Sequence, residues 1–475
     1  MATWRSAPAA RAPPHPTMTS ALSRPEGASA PRRAHVPGGP AAAAPLWAVL
    51  TFAWINSLGS GVVTTGIYFL TKSAYGYGST ANYGLGLLLG VTYIAGAMVA
   101  GPLLRSLQDR SHRFSGRAAL FLLMLGAAAV CALPWAARAL APSDSARGGA
   151  WAVWVLIGVY SPLTGMLWPL VESFMSGGRR GPELRSAVGL FNMTWSSALV
   201  IAFWGMGPVR EAYPLQTIAV LGLAHLGSCV LLLWFTPNPG RHEPASPGAE
   251  QAPSEQAHYR DLLTVFRLAL PASYMVNTAL GPYLPGALDR LEVGRAWQTP
   301  LTASWLLARV LTFWVLQRWH GWHGRWSMPV LGGAVMLAGF GGTVLAPLLA
   351  GESGAGGIGG LGAPAARVVL ILSLALFGIG MGSIYAGALY YAMAVGHSEV
   401  EAGGTHEALI GVGYLVGPLC GLATAAAVRT ELIPEKRFGL AVVLLVGLAS
   451  GLVALVALGK VMRRGAGVRG RRAAS

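Results

Sequence analysis

The sequence predicts an all-α polytopic membrane protein, and three observations lead to this prediction: few charges, recurring long apolar segments, and basic residues concentrated on one side. Of the 475 residues, 53% are hydrophobic and only 11% are charged. A soluble domain carries roughly 25% charged residues, so a water-soluble chain of this length could not cover its surface. A bilayer instead rewards apolar side chains and penalises charge.

Apolar segments long enough to span a bilayer, about 20 residues each, recur twelve times. Six lie in 45–236 and six in 262–460, and we expect each set to form a six-helix half. Two segments, 262–284 and 300–317, are weak because each contains an arginine. The predicted spans are 47–70, 84–104, 118–137, 151–172, 187–207, 216–235, 262–284, 300–317, 328–350, 366–391, 408–427 and 438–459.

Three polar segments flank and separate the two halves. Residues 1–44 are rich in Pro, Ala and Arg and are expected to form a disordered, basic cytoplasmic tail. Residues 237–261, rich in Pro, Glu and Ser, are the expected cytoplasmic linker. Residues 461–475 are a second basic tail.

The lysines and arginines predict the orientation. When the N-terminus is placed inside, the inner loops and tails hold most of the 34 basic residues. The positive-inside rule therefore predicts a multi-pass protein of the cytoplasmic (inner) membrane with both termini cytoplasmic. Because orientation in the bilayer explains the net charge of +16, we expect no nucleic-acid partner, and we expect a monomer.

The loops after the second and the eighth predicted spans are alike. Residues 107–117 read LQDRSHRFSGR, and residues 316–325 read LQRWHGWHGR. Both follow the pattern LQ…R…GR at equivalent positions of the two halves. The chain therefore has the pattern of a duplicated six-span unit.

Twelve spans in two halves, a central polar linker and a basic loop after the second span resemble the major facilitator superfamily of secondary transporters. The family loop reads Gly-x-x-x-Asp-Arg-x-Gly-Arg. Here Asp109, Arg110, Gly116 and Arg117 match in type and order, whereas Arg105 replaces the first glycine. The resemblance implies that this loop is a cytoplasmic latch, with Asp109, Arg110 and Arg117 as gating candidates. The alternative is a basic loop that only sets orientation.

A second family motif, Gly-x8-Gly-x3-Gly-Pro-x2-Gly, marks the fifth span of many exporters. Here it occurs in the eleventh span, the pseudo-equivalent of the fifth, and the fifth span lacks it. The run predicts a thin helix face for close packing and a kink at the proline. Packing alone is the alternative to an exporter signal. The motif residues are Gly404, Gly413, Gly417, Pro418 and Gly421.

Two charged residues lie inside predicted spans, where a charge costs at least a few kcal/mol. Arg309, midway along the eighth span, is expected to face a central cavity and bind an anionic or hydroxyl-rich substrate. The alternative is a structural ion pair or a snorkelled side chain. Glu172, near the inner end of the fourth span, is expected to carry a coupling proton or to pair with arginines of the 105–117 loop. The alternative is a helix-end carboxylate in the interface.

In the family, spans one, four, seven and ten line the cavity. The resemblance therefore implies that polar and aromatic residues of these spans contact the substrate, because amides and amphipathic rings suit hydrogen bonding and stacking. Packing is the alternative for each of them. These residues are Asn56, Thr64, Thr65, Tyr160, Trp168, Tyr274, Asn277, Tyr385, Tyr390 and Tyr391.

Other potential ligand residues are expected to play no chemical role. His225, in the sixth span, is interpreted as a satisfied packing residue. A group of histidines and acids before the eleventh span has no recognised metal-ligand spacing and is expected in a solvated inner loop, so no metal or cofactor is predicted. The group comprises His397, Glu399, Glu401, His406 and Glu407.

The resemblance implies a secondary transporter that moves a small organic solute across the membrane by alternating access, with a proton or Na⁺ as the coupling ion. Uptake by symport and drug-type export both remain open. The rivals are a membrane-embedded enzyme and a non-transporting sensor. An ATP-driven pump is disfavoured because the sequence lacks a Gly-x4-Gly-Lys-Ser/Thr phosphate loop.

Overall fold

The computed structural model describes residues 43–111, 114–142, 148–179, 181–240, 253–350, 360–395 and 400–473. These residues form helices joined by turns. The N-terminal half consists of α1 (Leu46–Ser60), α2 (Ile67–Tyr75), α3 (Ser79–Arg110), α4 (Gly116–Ala139), α5 (Trp151–Ser176), α6 (Gly181–Val209) and α7 (Pro214–Ser228). The C-terminal half consists of α8 (Pro253–Leu280), α9 (Leu284–Arg290), α10 (Arg295–Thr302), α11 (Ser304–Arg318), α12 (Ser327–Leu349), α13 (Ala363–Val395), α14 (Val400–Arg429) and α15 (Phe438–Ala473).

Some predicted spans consist of more than one helix. The first span is α1 and α2 joined by a π-helical turn at Gly61–Gly66. The sixth is α7 followed by a 3₁₀ turn at Cys229–Trp234, and the eighth is α10 followed by α11. Short irregular turns inside a span are tolerated where the backbone faces protein and not lipid.

Eleven helical segments in the described part of the chain are long and apolar enough to cross a membrane. They cover every predicted span except the seventh, and they include Arg295–Arg318, which contains the weak segment 300–317. The remaining helix, α8, carries Arg267 and Asn277 within the predicted seventh span. It packs against α12, α13, α14 and α15, and Asn277 is buried there whereas Arg267 is exposed. The prediction of a polytopic all-α membrane fold is confirmed.

The outer surface of the helices is apolar. Large side chains such as Leu223, Leu233, Val330 and Leu448 are exposed, which in a soluble protein would amount to an aggregation-prone surface. Lipid tails are the solvent that such a surface requires.

The segment borders differ in part from the predicted ones. Helix α8 begins at Pro253, so the C-terminal part of the predicted linker 237–261 is helical. Helix α15 continues to Ala473 and takes in most of the predicted tail 461–475. Residues 1–42 of the predicted N-terminal tail lie outside the described residues, as do His397 and Glu399.

The glycine motif brings α14 close to two helices. A Cβ atom on Gly413 would lie 2.5 Å from the Pro271 carbonyl oxygen of α8, and one on Gly417 would lie 2.8 Å from the Ala279 nitrogen. The backbones of α8 and α14 therefore touch, and the Thr278 hydroxyl donates a hydrogen bond across this contact to the Gly413 carbonyl at 2.9 Å.

The other motif residues face α3, which belongs to the opposite half. A Cβ atom on Gly404 would lie 2.8 Å from the Ala97 carbonyl oxygen, and Gly421 lies against the Tyr83 ring. Pro418 contacts Gly86 of α3. The contact between α3 and α14 thus joins the two halves through small residues, as membrane helices commonly do.

Candidate functional site

A cavity lies between the two halves and is lined by both of them. The N-terminal half contributes residues of α1, the π turn, α3, α5 and α6, and the C-terminal half contributes residues of α8, α11, α13 and α14. The lining combines hydroxyl groups, aromatic rings and three charged side chains. It comprises Ser57, Ser60, Gly61, Thr64, Thr65, Tyr93, Thr164, Trp168, Glu172, Phe191, Trp195, Leu199, Tyr274, Asn277, Trp305, Arg309, Tyr385, Glu407, Ile410 and Tyr414.

Arg309 is the cation of this cavity, and it is 2% exposed. Its guanidinium carbon lies 4.4 Å from the ring centroid of Trp195 and 4.7 Å from that of Trp305. Its Nε donates a hydrogen bond to the Ser196 hydroxyl at 3.0 Å. Cation–π contacts stabilise a desolvated guanidinium, so the two rings and the hydroxyl hold the charge in place without a carboxylate.

One part of the Arg309 guanidinium is unused. Among the described residues its Nη2 has no hydrogen-bond partner, although each guanidinium nitrogen is a strong donor. A buried donor without a partner costs about 1–3 kcal/mol or more when charged. An oxygen atom of a bound solute would satisfy Nη2.

Glu172 lies opposite two residues of the C-terminal half, His406 and Glu407. One ligand atom from each of these three side chains lies within 4.8 Å of the others, and all three side chains are buried. The Tyr93 hydroxyl of α3 donates a hydrogen bond to Glu407 Oε2. Two acids and a histidine from both halves therefore meet at one wall of the cavity, and we refer to Glu172, His406 and Glu407 as the acid–histidine cluster.

The expectation that His406 and Glu407 lie in a solvated loop was wrong. Helix α14 begins at Val400, so both residues belong to it and are buried. Their charge lowers the local hydropathy, which placed the start of the predicted span at residue 408. The motif glycine Gly404 precedes both residues, and extending the span to include it would have placed them in the helix.

A series of tyrosine rings connects the two charged parts of the cavity. The Tyr385 ring lies 5.3 Å from that of Trp195 beside Arg309 and 6.4 Å from that of Tyr274. The Tyr414 ring lies 5.4 Å from Tyr274 and 5.1 Å from Tyr93, the partner of Glu407. Rings with hydroxyl groups allow both stacking and hydrogen bonding.

The structure brings together many of the residues implied by the resemblance. Tyr93, Trp195 and Tyr414 join them in the lining, although spans two, five and eleven were not expected there. Trp305 joins them from the eighth span, beside Arg309. Their aromatic character was visible in the sequence, but their direction was not. The expected residues in the lining are Thr64, Thr65, Trp168, Glu172, Tyr274, Asn277, Arg309 and Tyr385.

Asn56 and Tyr160 lie outside this lining, because their polar groups are used within the N-terminal half. The Tyr160 hydroxyl is 2.8 Å from His225 Nε2, and His225 Nδ1 is 2.6 Å from Asn56 Oδ1. Asn56 Nδ2 also donates to the Phe52 carbonyl at 2.8 Å. These bonds join α1, α5 and α7, and His225 is buried with both ring nitrogens engaged, as predicted.

Tyr390 and Tyr391 also lie away from the cavity lining. The Tyr391 hydroxyl accepts a hydrogen bond from the Gly324 amide at 2.8 Å, and the Tyr390 ring stacks on His323 at 4.2 Å. Both tyrosines therefore contact the turn between α11 and α12.

The loop after α3 packs against the end of the N-terminal half. Arg117 Nη1 donates to the Phe235 carbonyl at 3.2 Å, and the Gly116 amide donates to Asn238 Oδ1 at 2.8 Å. Asp109 and Arg110 are the exposed last residues of α3. These contacts of Arg117 lie within one half.

At the opposite end of the bundle, where α2 ends, polar side chains join the two halves. Lys72 forms an ion pair with Asp289, and Gln298 Nε2 donates to Asp289 Oδ1 at 2.6 Å. The buried Arg210 donates through Nη2 to Gln298 Oε1 at 2.7 Å. We call Lys72, Arg210, Asp289 and Gln298 the cross-half network. Asp289 and Gln298 lie in 285–299, between two predicted spans, so the apolar pattern of the sequence does not predict it.

Comparisons with known proteins identify the fold. No protein-family model matches the sequence, and no curated protein matches it. Among solved structures, the nucleoside transporter NupG matches with a TM-score of 0.55 and 12% identity, covering 87% of this chain and 98% of NupG. A mutant form of NupG matches with a TM-score of 0.57 and 11% identity, over 87% of this chain and 99% of that one.

A third solved structure agrees with these two. It is a bacterial homologue of the human lysosomal transporter Spinster, in an inward-facing and unoccupied conformation. The match has a TM-score of 0.57 and 13% identity and covers 87% of this chain and 96% of the homologue. The helices, their order and these matches show that the chain has the fold of the major facilitator superfamily.

Proposed function

We propose that the chain is a secondary transporter that moves a small organic solute across the cytoplasmic membrane by alternating access of its two halves. The observation that carries the proposal is Arg309, a buried cation in a cavity lined by both halves, whose Nη2 has no hydrogen-bond partner among the residues that the structure describes. A solute bound there contacts both halves. Rocking of one half against the other would then expose the solute first to one side and then to the other.

The lining favours a solute with acceptor oxygens and a flat or apolar part. A guanidinium binds anionic or hydroxyl-rich groups, and the rings of Trp195, Trp305, Tyr274 and Tyr385 provide stacking surfaces. NupG, which shares the fold, is a nucleoside transporter. A nucleoside combines hydroxyls with an aromatic base, so nucleosides belong in the first set of solutes to be tested, beside sugars and organic anions.

The experiment that tests the proposal is solute counterflow into proteoliposomes containing the purified protein. A thermal-shift screen against nucleosides, sugars, organic anions, amino acids and drugs selects the solutes. We expect uptake that saturates with concentration and exceeds that of protein-free liposomes. Binding of a solute without protein-dependent flux would favour the sensor, and chemical conversion of the solute would favour the membrane-embedded enzyme.

Orientation, direction and assembly complete the proposal. We propose both termini on the cytoplasmic side and a monomeric transporter. Uptake and drug-type export remain alternatives, and the counterflow experiment distinguishes them when it is repeated with an imposed ion gradient. Asp109, Arg110 and Arg117 keep their proposed role as a cytoplasmic latch.

We further propose that Glu172 binds the coupling cation, a proton or Na⁺ in the simplest case. Glu172 belongs to one half and Glu407 to the other, and two nearby carboxylates repel each other unless a cation is bound between them. Whether a cation is bound between Glu172 and Glu407 therefore depends on the distance between the two halves. The titratable and charged groups around this position are Tyr93, Arg267, Tyr274, Arg309, Tyr385, His406, Glu407 and Tyr414.

Glu172→Gln is expected to remove the dependence of transport on the cation gradient while leaving solute exchange at equal concentrations measurable. The amide keeps the size of the side chain and removes its charge. Flux is measured with and without pH and Na⁺ gradients. Glu183→Gln is the matched control, since Glu183 is exposed and contacts Arg179 away from the cavity. A variant that retains the gradient response of the parent would exclude Glu172 as the coupling residue.

Asp289→Lys is expected to favour opening of the bundle at the cross-half network, because it replaces the ion pair with Lys72 by repulsion. Both side chains are partly exposed, so we expect an effect of about 0.2–1 kcal/mol, up to roughly fivefold. The rate at which an impermeant thiol reagent labels a Thr64→Cys variant in the cavity measures this opening. Adding Lys72→Asp should return the labelling rate toward that of the parent. An unchanged labelling rate in both variants would show that the network does not hold this end of the bundle closed.

A further inference from the structure

We propose that the acid–histidine cluster binds one divalent first-row transition-metal ion, such as Zn²⁺ or Mn²⁺. The sequence pattern of these residues had predicted no metal, because it did not bring Glu172 near His406 and Glu407. In the fold, the three ligand atoms lie within 4.8 Å of one another in a buried environment. Glu172 and Glu407 line the same cavity as Arg309, and Glu172 is also the residue proposed above for the coupling cation. The ion would be held by different side chains from the solute contact proposed at Arg309.

His406 supplies the second observation. The side chain is 7% exposed, and within the described part of the chain its Nε2 has no hydrogen-bond partner. A buried polar nitrogen without a partner costs about 1–3 kcal/mol. The imidazole ring also stands edge-on to the Tyr385 ring at 5.6 Å, which limits its rotation. An ion bound through Nε2 would give this nitrogen a partner.

The charge of the cluster calls for a cation. Glu172 and Glu407 are both buried, and burying two carboxylates near each other is costly unless positive charge or protons compensate them. The Arg309 guanidinium does not pair with either carboxylate among the described residues. A divalent ion would compensate both carboxylates at once.

The ligand types select the class of ion. Carboxylate oxygens alone would suit Mg²⁺ or Ca²⁺, whereas an imidazole nitrogen favours transition metals. Tyr93 donates its hydroxyl hydrogen to Glu407, and this hydrogen bond would hold the ligating carboxylate in a fixed orientation. Three protein ligands leave a coordination position open toward the cavity, where water or an oxygen of a solute can bind.

The helices allow the ligands to close around an ion. In a tetrahedral site with metal–ligand bonds of about 2.1 Å, ligand atoms are about 3.4 Å apart, so a modest approach of α5 and α14 would complete the site. Gly403 is a residue of α14 that faces α5, and a Cβ atom there would be 3.2 Å from Pro169 Cα and 3.1 Å from Glu172 Oε2. The absence of a side chain at Gly403 keeps this space open.

The test is isothermal titration of the purified, chelator-treated full-length protein in detergent with Zn²⁺ and with Mn²⁺. We expect saturable binding of one ion per chain and no comparable binding of Mg²⁺ or Ca²⁺. Glu172→Gln, His406→Gln and Glu407→Gln should each weaken Zn²⁺ binding by at least about tenfold, because removal of even an outer-shell partner typically costs 10–100-fold in metal affinity. Glu183→Gln and His258→Gln, which change an acid and a histidine outside the cluster, should bind Zn²⁺ as the parent does.

Two further measurements guard against variants that do not fold. The melting temperature and gel-filtration profile of each variant are compared with those of the parent. On the unaltered protein, Co²⁺ should give the visible absorption bands of a site with nitrogen and oxygen ligands, and Zn²⁺ should displace them. Absence of saturable binding and of these bands overturns the proposal, as does Zn²⁺ binding that all three cluster variants retain. The measurements need no transport, so they succeed or fail independently of the proposed function.

Discussion

Arg309→Gln is expected to abolish saturable solute binding and counterflow. Glutamine cannot supply a cation between Trp195 and Trp305, and it removes the Nη2 donor, which has no partner among the described residues and is proposed to contact the solute. Removing one partner of a buried, charge-assisted contact costs about 2–5 kcal/mol, or roughly 30-fold to a few thousand-fold in affinity. Binding is measured by thermal shift and titration, and transport by counterflow.

Two variants separate the charge from its geometry. Arg309→Lys keeps the charge but lacks the planar fork that lies between the rings, so we expect weakened but detectable binding. Ser196→Ala removes only the acceptor for Arg309 Nε and should cost less than Arg309→Gln. Kinetics of Arg309→Gln equal to those of the parent, at equal protein content, would show that Arg309 is structural.

Gly413→Ala is expected to cause a large loss of folded protein. The added Cβ would lie 2.5 Å from the Pro271 carbonyl oxygen and 2.5 Å from Tyr274 Cβ, and backbone atoms of α8 cannot rotate away as a flexible side chain would. Overpacking of this kind costs about 1–3 kcal/mol, and sometimes more. Melting temperature and the monodisperse fraction after extraction measure the loss.

Gly447→Ala is the matched control, because a Cβ atom at this position of α15 meets nothing within 4 Å. We expect this variant to melt at or slightly above the temperature of the parent, since alanine is the better helix former. If the two variants lost stability equally, the contact between α8 and α14 would not account for the loss. The expected difference in melting temperature between the two variants therefore tests the packing directly.

The polytopic fold could be predicted because it depends on properties that the whole chain carries. Few charges, long apolar segments and the bias of basic residues each indicate, independently of one another, that the chain lies in a bilayer. Helix α8 was among the least certain spans because it carries Arg267, although Asn277 in the same helix is buried against protein. Hydropathy measures composition and not direction, so it cannot tell a polar residue that faces protein from one that faces lipid.

The candidate site was only partly predictable. Arg309 was found because a charge within an apolar run is conspicuous against its neighbours. His406 and Glu407 were missed because their own polarity shifted the predicted helix border, and Asn56 and Tyr160 were placed in the cavity because sequence gives a residue's span but not its rotation about the helix axis. The cross-half network joins residues more than 200 positions apart, such as Lys72 and Asp289, and no local pattern records that contact.

The π turn at Gly61–Gly66 has a consequence for how the chain tolerates length changes. A π turn adds residues to a helix without adding a full α-helical repeat, and each α-helical residue rotates the chain by about 100°. Deleting one residue within this turn would let the segment return to regular α-helix with the residues after it facing nearly the same way, because the π turn accommodates the extra residue locally. Tyr68, now against Gly281, and Lys72, now paired with Asp289, would keep facing the other half. Deleting one residue from α1 would instead rotate both by about 100°, so the first span should tolerate the loss of a residue at the π turn and not in the regular helix before it.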